Sequence, residues 1–169
     1  MPTSLTRIFA MARGPWRAAL LLPAFVLLRP VNANLTPALL NPPDLNPAAI
    51  AYKLPNQIEW KESPIGARMA VMRGDPDKPG PYIVLVKWTP QHMSHPHFHP
   101  NDRFITVISG TWWVGTGSKY DPESTVAMPA GSFVTHFAKQ IHYDGAKDQE
   151  CVLQIVGEGP ATATPSETK

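Results

Sequence analysis

From residue 58 onward the chain is a succession of short apolar or alternating runs, each interrupted by turn-forming residues. Runs at 67–72, 82–88, 104–108, 112–114, 133–137 and 152–156 read as strands. The breaks RGDPDKPGP at 73–81, GTGSKYDPES at 115–124 and MPAG at 128–131 are dense in Gly, Pro, Asp and Ser, the residues that set turn geometry. No window of ten or more residues carries a 3.6-residue apolar stripe, so the pattern excludes a helical fold and predicts an antiparallel all-β sandwich or barrel. A chain of 169 residues is the length of one ordinary domain, which buries roughly two-thirds of its unfolded surface. Its single Cys151 excludes an internal disulfide, a Cys-rich zinc module and a CxxC redox pair. At the head of the apolar run VLQIV it reads as a small buried hydrophobe.

The N-terminus has a different texture. Residues 1–33 hold Arg7, Arg13, Arg17 and Arg29, no acidic residue, and the apolar stretch AALLLPAFVLL. A basic segment, a short apolar core and small residues at Val31 and Ala33 predict a secretory signal cleaved after Ala33; Met11 opens an equally complete leader. A membrane-anchored N-terminus is the alternative, although the run is short for a bilayer core of about 30 Å. Residues 34–57, with five prolines, predict an irregular lead-in carrying one short helical turn at most. The polar tail 158–169 predicts a frayed end. The whole chain has a formal charge of +2, but without the four leader arginines eleven basic residues face thirteen acidic ones, a net charge of −2. The basic character therefore belongs to the leader, and nothing electrostatic favours a nucleic-acid partner. The expected location is periplasmic or secreted, with no membrane association once processed.

All six histidines fall between 92 and 142, four of them in QHMSHPHFH. His95, His97 and His99 share one parity, so on an extended strand all three project from the same face. Two neutral imidazoles two residues apart, roughly 7 Å along a strand, can converge on one ion. A third ligand then comes from a neighbouring strand, where His136 and His142 are the later histidines. Spacing alone leaves a second reading, a surface histidine tract or histidines hydrogen-bonded within a barrel.

The stretch HPHFHPNDRFITVISG resembles the first motif of the cupin superfamily, in which HxH is followed after three or four residues by Glu, then six residues and Gly. His97 and His99 take the histidine positions and Gly110 the closing glycine. PAGSFVTHFAKQIHYD, 129–144, is similar to the second motif of small cupins, which read PAG, a short strand, a second PAG and the metal-binding His. In that register His142 is the third ligand and Phe137-Ala-Lys139 stands where the second Pro-x-Gly belongs; His136 is its rival. The resemblance spans about 65 to 157 and implies a jelly-roll β-barrel of the cupin type, with a divalent metal ion as cofactor. Imidazoles alone do not distinguish iron, manganese, zinc or nickel.

One departure bears on the chemistry. The motif's Glu is replaced by Arg103, while Asp102 sits one residue early. Strand parity points Arg103 inward and Asp102 outward; a slip at Pro100-Asn101 would make Asp102 a fourth ligand. An inward guanidinium repels a cation by about 4 kcal/mol for unit charges 4 Å apart at an effective dielectric near 20, and about twice that for a divalent ion. Three outcomes follow: a three-His centre in which Arg103 clamps a substrate anion, a metal site with Arg103 on the barrel rim, or a pocket without metal. The sequence thus predicts an exported metal-binding protein, either an oxygenase or isomerase of a small anionic molecule or a non-catalytic binder.

Other residues carry less. Trp112, Phe104, Phe133, Phe137 and Tyr143 read as barrel core or as the lining of a pocket for a flat ligand. Of the adjacent Trp112 and Trp113, one faces inward and one outward, where it offers a homodimer contact. The glycines of GTWWVGTG read as turns, since no strand–helix context for a dinucleotide loop surrounds them. Ser94 and Ser132 lack the elbow and acidic partner of a hydrolase.

Overall fold

The computed structural model describes residues 45–168; the leader and most of the Pro-rich lead-in lie outside the described residues. The unit from residue 50 onward opens with a turn of 3-10 helix at Pro55–Gln57 and continues as strands whose pairings are all antiparallel. The first sheet holds β1 (Lys61–Ser63), β2 (Ala67–Arg73), β3 (Gly80–Trp88), β6 (Arg103–Ser109), β9 (Phe133–His136) and β11 (Cys151–Gly159), in the order β1-β2-β3-β11-β6-β9. The second holds β4 (His92–Met93), β5 (His97–Phe98), β7 (Thr111–Thr116), β8 (Val126–Pro129), β10 (His142–Ala146) and β12 (Thr164–Pro165), in the order β12-β5-β10-β7-β8 with β4 also on β10. The fold is all-β, as the turn spacing predicts, and is the jelly-roll barrel that the cupin resemblance implies. No helix among the described residues is long and apolar enough to cross a membrane.

The two sheets share one core. Ile105 and Val107 of β6, Leu153 and Ile155 of β11, and Tyr82 and Val84 of β3 meet Trp112 and Val114 of β7. Alternation explains the choice: along β6 the inward Ile105 and Val107 are buried while Phe104, Thr106 and Ile108 are exposed. Cys151 is buried, and burial pushes its thiol up to about 12, so it serves packing as expected. Gly110 closes the β6–β7 turn at φ +73°, where a Cβ would run into the Glu150 carbonyl oxygen; only glycine fits both demands.

Several expectations change. Phe104, Phe133 and Phe137 are neither core nor pocket: they are 44%, 66% and 63% exposed, because the parity that turns Arg103 and His136 inward turns their neighbours outward. Phe104 and Phe133 stack on each other on the outer face, centroids 6.5 Å apart. Trp112 is buried and Trp113 lies under the Lys147 ammonium, 4.3 Å from its ring. Gly115 is a strand residue rather than a turn; its missing Cβ leaves room for the Tyr143 ring. The tail is not frayed. β11 continues to Gly159, β12 pairs with β5, Ser166 N donates to Pro96 O at 2.8 Å and Thr168 N to Ser118 O at 2.9 Å. Unpaired backbone groups on the short edge strand β5 supply the reason, since the tail satisfies them.

Candidate metal centre

Two cross-strand pairs build the site. Arg103 on β6 stands opposite His136 on β9, and His97 on β5 stands opposite His142 on β10. Paired residues share a face, so both pairs project into the barrel. His99, two residues beyond His97, turns in beside them and is buried. The register assigned to His142 has a backbone counterpart: Lys139, where the motif's glycine would stand, takes φ +62°, the left-handed conformation glycine favours. Its N–H donates to the His99 carbonyl at 2.7 Å, which ties the loop before β10 to the segment after β5.

Hydrogen bonds fix three tautomers. Nδ1 of His97 donates to His95 O at 2.8 Å, Nδ1 of His99 to Thr162 O at 2.9 Å, and Nδ1 of His142 to Gln140 O at 3.0 Å. A carbonyl only accepts, so each Nδ1 holds the proton and each Nε2 presents a lone pair. The donor atoms of His97, His99 and His142 lie within 4.8 Å of one another, and the Nε2 atoms of His97 and His99 are 3.1 Å apart. Burial, then the Arg103 guanidinium, lowers the pKa of His99 to about 2. Burial likewise holds His142 well below its ordinary value, with Asp144 opposing in part. The convergence of neutral lone pairs, each aimed by a carbonyl behind it, is a donor set suited to a divalent transition metal.

Arg103 faces the site. Its Nη1 donates to His99 Nε2, and its Nε is buried without a partner among the described residues. The Tyr82 hydroxyl lies beside it, its pKa raised chiefly by burial and partly offset by the guanidinium charge. The rim position for Arg103 is thereby excluded. Asp102 points outward, where its Oδ1 accepts from Ala138 N at 2.7 Å; it anchors the loop before His142 and is not a fourth ligand. His95 also leaves the set: Pro96 breaks the strand, and its exposed ring bonds Glu167 Oε2 at 2.8 Å and stacks on Tyr120. Ser94 is no nucleophile, since its hydroxyl exchanges hydrogen bonds with the Asp144 backbone.

His136 is also buried and packs on this set, its ring centroid 3.7 Å from that of His142. Sequence reasoning missed Asp144, buried beside His136 and His142 with Oδ1 accepting from Trp112 Nε1 at 3.1 Å. Its two-residue spacing from His142 on one strand was the available signal. A cavity of about 240 Å³ adjoins these groups, walled by Tyr82, Ile105, Trp112 and Leu153. That size suits a small organic molecule rather than a drug-sized one.

Comparison with known proteins agrees with this architecture. No curated protein sequence matches the chain. Among solved structures, the polyketide cyclase RemF from Streptomyces resistomycificus superposes with a TM-score of 0.59 at 13% identity, covering 71% of this chain and 87% of that one. A RmlC-like cupin from Shewanella frigidimarina gives 0.52 at 14% identity, covering 65% and 90%. A conserved double-stranded β-helix protein from Klebsiella pneumoniae gives 0.50 at 20% identity, covering 64% and 90%. At such identities the likeness is one of fold. A family model, the ChrR cupin-like domain, matches residues 49–162, the span that contains both cross-strand pairs and the Thr162 carbonyl behind His99. The chain belongs to the ChrR cupin-like family of the cupin superfamily.

Proposed function

We propose that this is an exported cupin that binds a divalent metal ion through His97, His99 and His142 and acts, as an oxygenase or isomerase, on a small anionic organic molecule clamped by Arg103. The observation that carries the reading is the trio of Nδ1–carbonyl hydrogen bonds, which leaves three Nε2 lone pairs converging. A bound divalent ion there would supply Lewis acidity, and iron would add O₂ chemistry. The residues do the rest. Arg103 holds donors to spare after its contact with His99, so it can take a carboxylate or enolate oxygen at the cavity mouth while the apolar walls exclude water. His99 and His142, kept neutral by burial, stay available as ligands at physiological pH. The basic, apolar leader 1–33 supports a periplasmic or secreted location, and the exposed Phe104–Phe133 stack supports a homodimer through the outer face of the first sheet.

A second reading has its own observation. Arg103 donates to the lone pair of His99, which an ion would need, and this favours a non-catalytic pocket for an anion without metal. Elemental analysis of the purified mature protein beside a His97→Ala/His99→Ala variant separates the two. Stoichiometric metal in the wild type, held more weakly by the variant, is the expected result. No retained metal after reconstitution sinks the metal reading and leaves the anion pocket. An Arg103→Glu variant should bind metal more tightly, since a repelling charge becomes a ligand; unchanged affinity would remove Arg103 from the site.

A further inference from the structure

The outer three-imidazole set leaves a second group of donors unexplained. His136, His142 and Asp144 are only 7%, 3% and 8% exposed, and one donor atom from each lies within 4.8 Å of the others. Both nitrogens of His136, and Nε2 of His142, are buried with no hydrogen-bond partner among the described residues. Each buried polar atom left so costs about 1–3 kcal/mol. Asp144 forms no ion pair with Lys or Arg among the described residues, and its one side-chain hydrogen bond there is from Trp112. A buried carboxylate beside the unpartnered His136 and the open Nε2 of His142 lacks its counter-charge. A cation between the three takes one lone pair from each of them at once, and the second nitrogen of His136 keeps its proton.

We propose that the barrel holds a second, inner cation position formed by His136, His142 and Asp144, taking a divalent transition metal. Two imidazoles and a carboxylate favour zinc, cobalt or iron over the hard calcium or magnesium ions. The inner position goes beyond the outer site and does not depend on it. His142 Nδ1 is committed to Gln140 O, so its Nε2 serves one ion at a time, and the two positions are alternatives rather than a dinuclear centre. The inner set also supplies the negative charge that the outer set lacks with Arg103 in place of the motif's Glu: the acid resides on β10 instead of β6.

The test uses Co²⁺ added to metal-free protein, read by equilibrium dialysis and by the cobalt d–d absorption. The His97→Ala/His99→Ala variant should still bind one Co²⁺ per chain. Adding His136→Phe, or Asp144→Asn, which keeps an acceptor for Trp112, should weaken that binding by roughly 100-fold or more. No uptake by the double variant overturns the inner site, as does uptake that both added substitutions leave unchanged. The outer site fails separately, if the double variant binds cobalt as tightly as the wild type. Should the double variant not fold, the single His97→Ala variant, with and without His136→Phe, gives the same decision. A changed spectrum and affinity support the inner position, and unchanged ones overturn it.

Discussion

Burying His136 with neither ring nitrogen hydrogen-bonded makes stability depend on pH. Burial, with the neighbouring His142 and Arg103 adding to it, lowers the pKa of His136 to about 2, against an ordinary value near 6.5. His99 is lowered as far and His142 in the same direction. Below pH 6.5 the unfolded chain therefore binds protons at these positions that the folded metal-free chain refuses. Stability falls as pH falls through that window, with a slope approaching about 4 kcal/mol per pH unit for three protons. Replacing His136 with Phe removes one of the three. At pH 5.5 that variant should be spared about 1.4 kcal/mol of the acid loss, seen as a shallower decline of the thermal midpoint from pH 7.5 to 5.5. A slope equal to wild type would mean that His136 is protonated in the fold. Strand parity made the inward setting of His97, His99 and Arg103 legible in advance. It failed at His95 because Pro96 interrupts the strand. It had no purchase on Thr162, whose backbone carbonyl orients His99 whatever its side chain.

At the scale of elements, the C-terminal segment is a strap across the site. It pairs with β5 through Thr164 and Pro165, accepts the His99 Nδ1 proton at Thr162 O, and brings Glu167 to His95. The core strands β3, β11 and β6 do not depend on it, since their contacts are complete by Gly159. Truncation after Ala161 should therefore leave a folded barrel with about 10- to 100-fold weaker metal affinity, the usual effect of losing the group that orients a ligand imidazole. Far-UV circular dichroism and a zinc titration measure both halves; full affinity in a folded truncation would refute the strap's role. Long alternating strands such as β3, β6 and β11 were readable because burial imposes a period of two. The two-residue strands β4, β5 and β12 carry no period, and composition hid them. β10 escaped for another reason: HYDGA is buried at all five positions, so it has no polar face to alternate, and its His, Asp and Gly look like turn residues. At Lys139 the motif's glycine was lost from the sequence while the turn's backbone persisted.

At the scale of the molecule, the two candidate cation positions load the barrel differently. The outer ligands lie on β5 and β10 of the second sheet and, for His99, just after β5. The inner ligands join β10 of that sheet to β9 of the first. An ion that binds only the folded chain adds about 2.7 kcal/mol at a hundredfold excess over its dissociation constant. For an ordered unit of this size that is a rise of roughly 10 °C in thermal midpoint, reversed by a chelator. Where the added stability appears depends on which elements the ion ties together, because local opening is suppressed only in the segments that must part for the ligands to separate. β5 is a short strand held by one residue pair to β10 and two to β12, so it is the part most easily opened in the metal-free state. Zinc should slow amide exchange most across residues 93–99 and 162–168, and across 133–136 as well when the inner position is filled. β3 and β11, already protected by the core, should change least. Hydrogen-exchange mass spectrometry with and without zinc measures the pattern. Protection spread evenly over both sheets would mean that the ion acts on global unfolding alone and that the β5 edge is no weaker than the core.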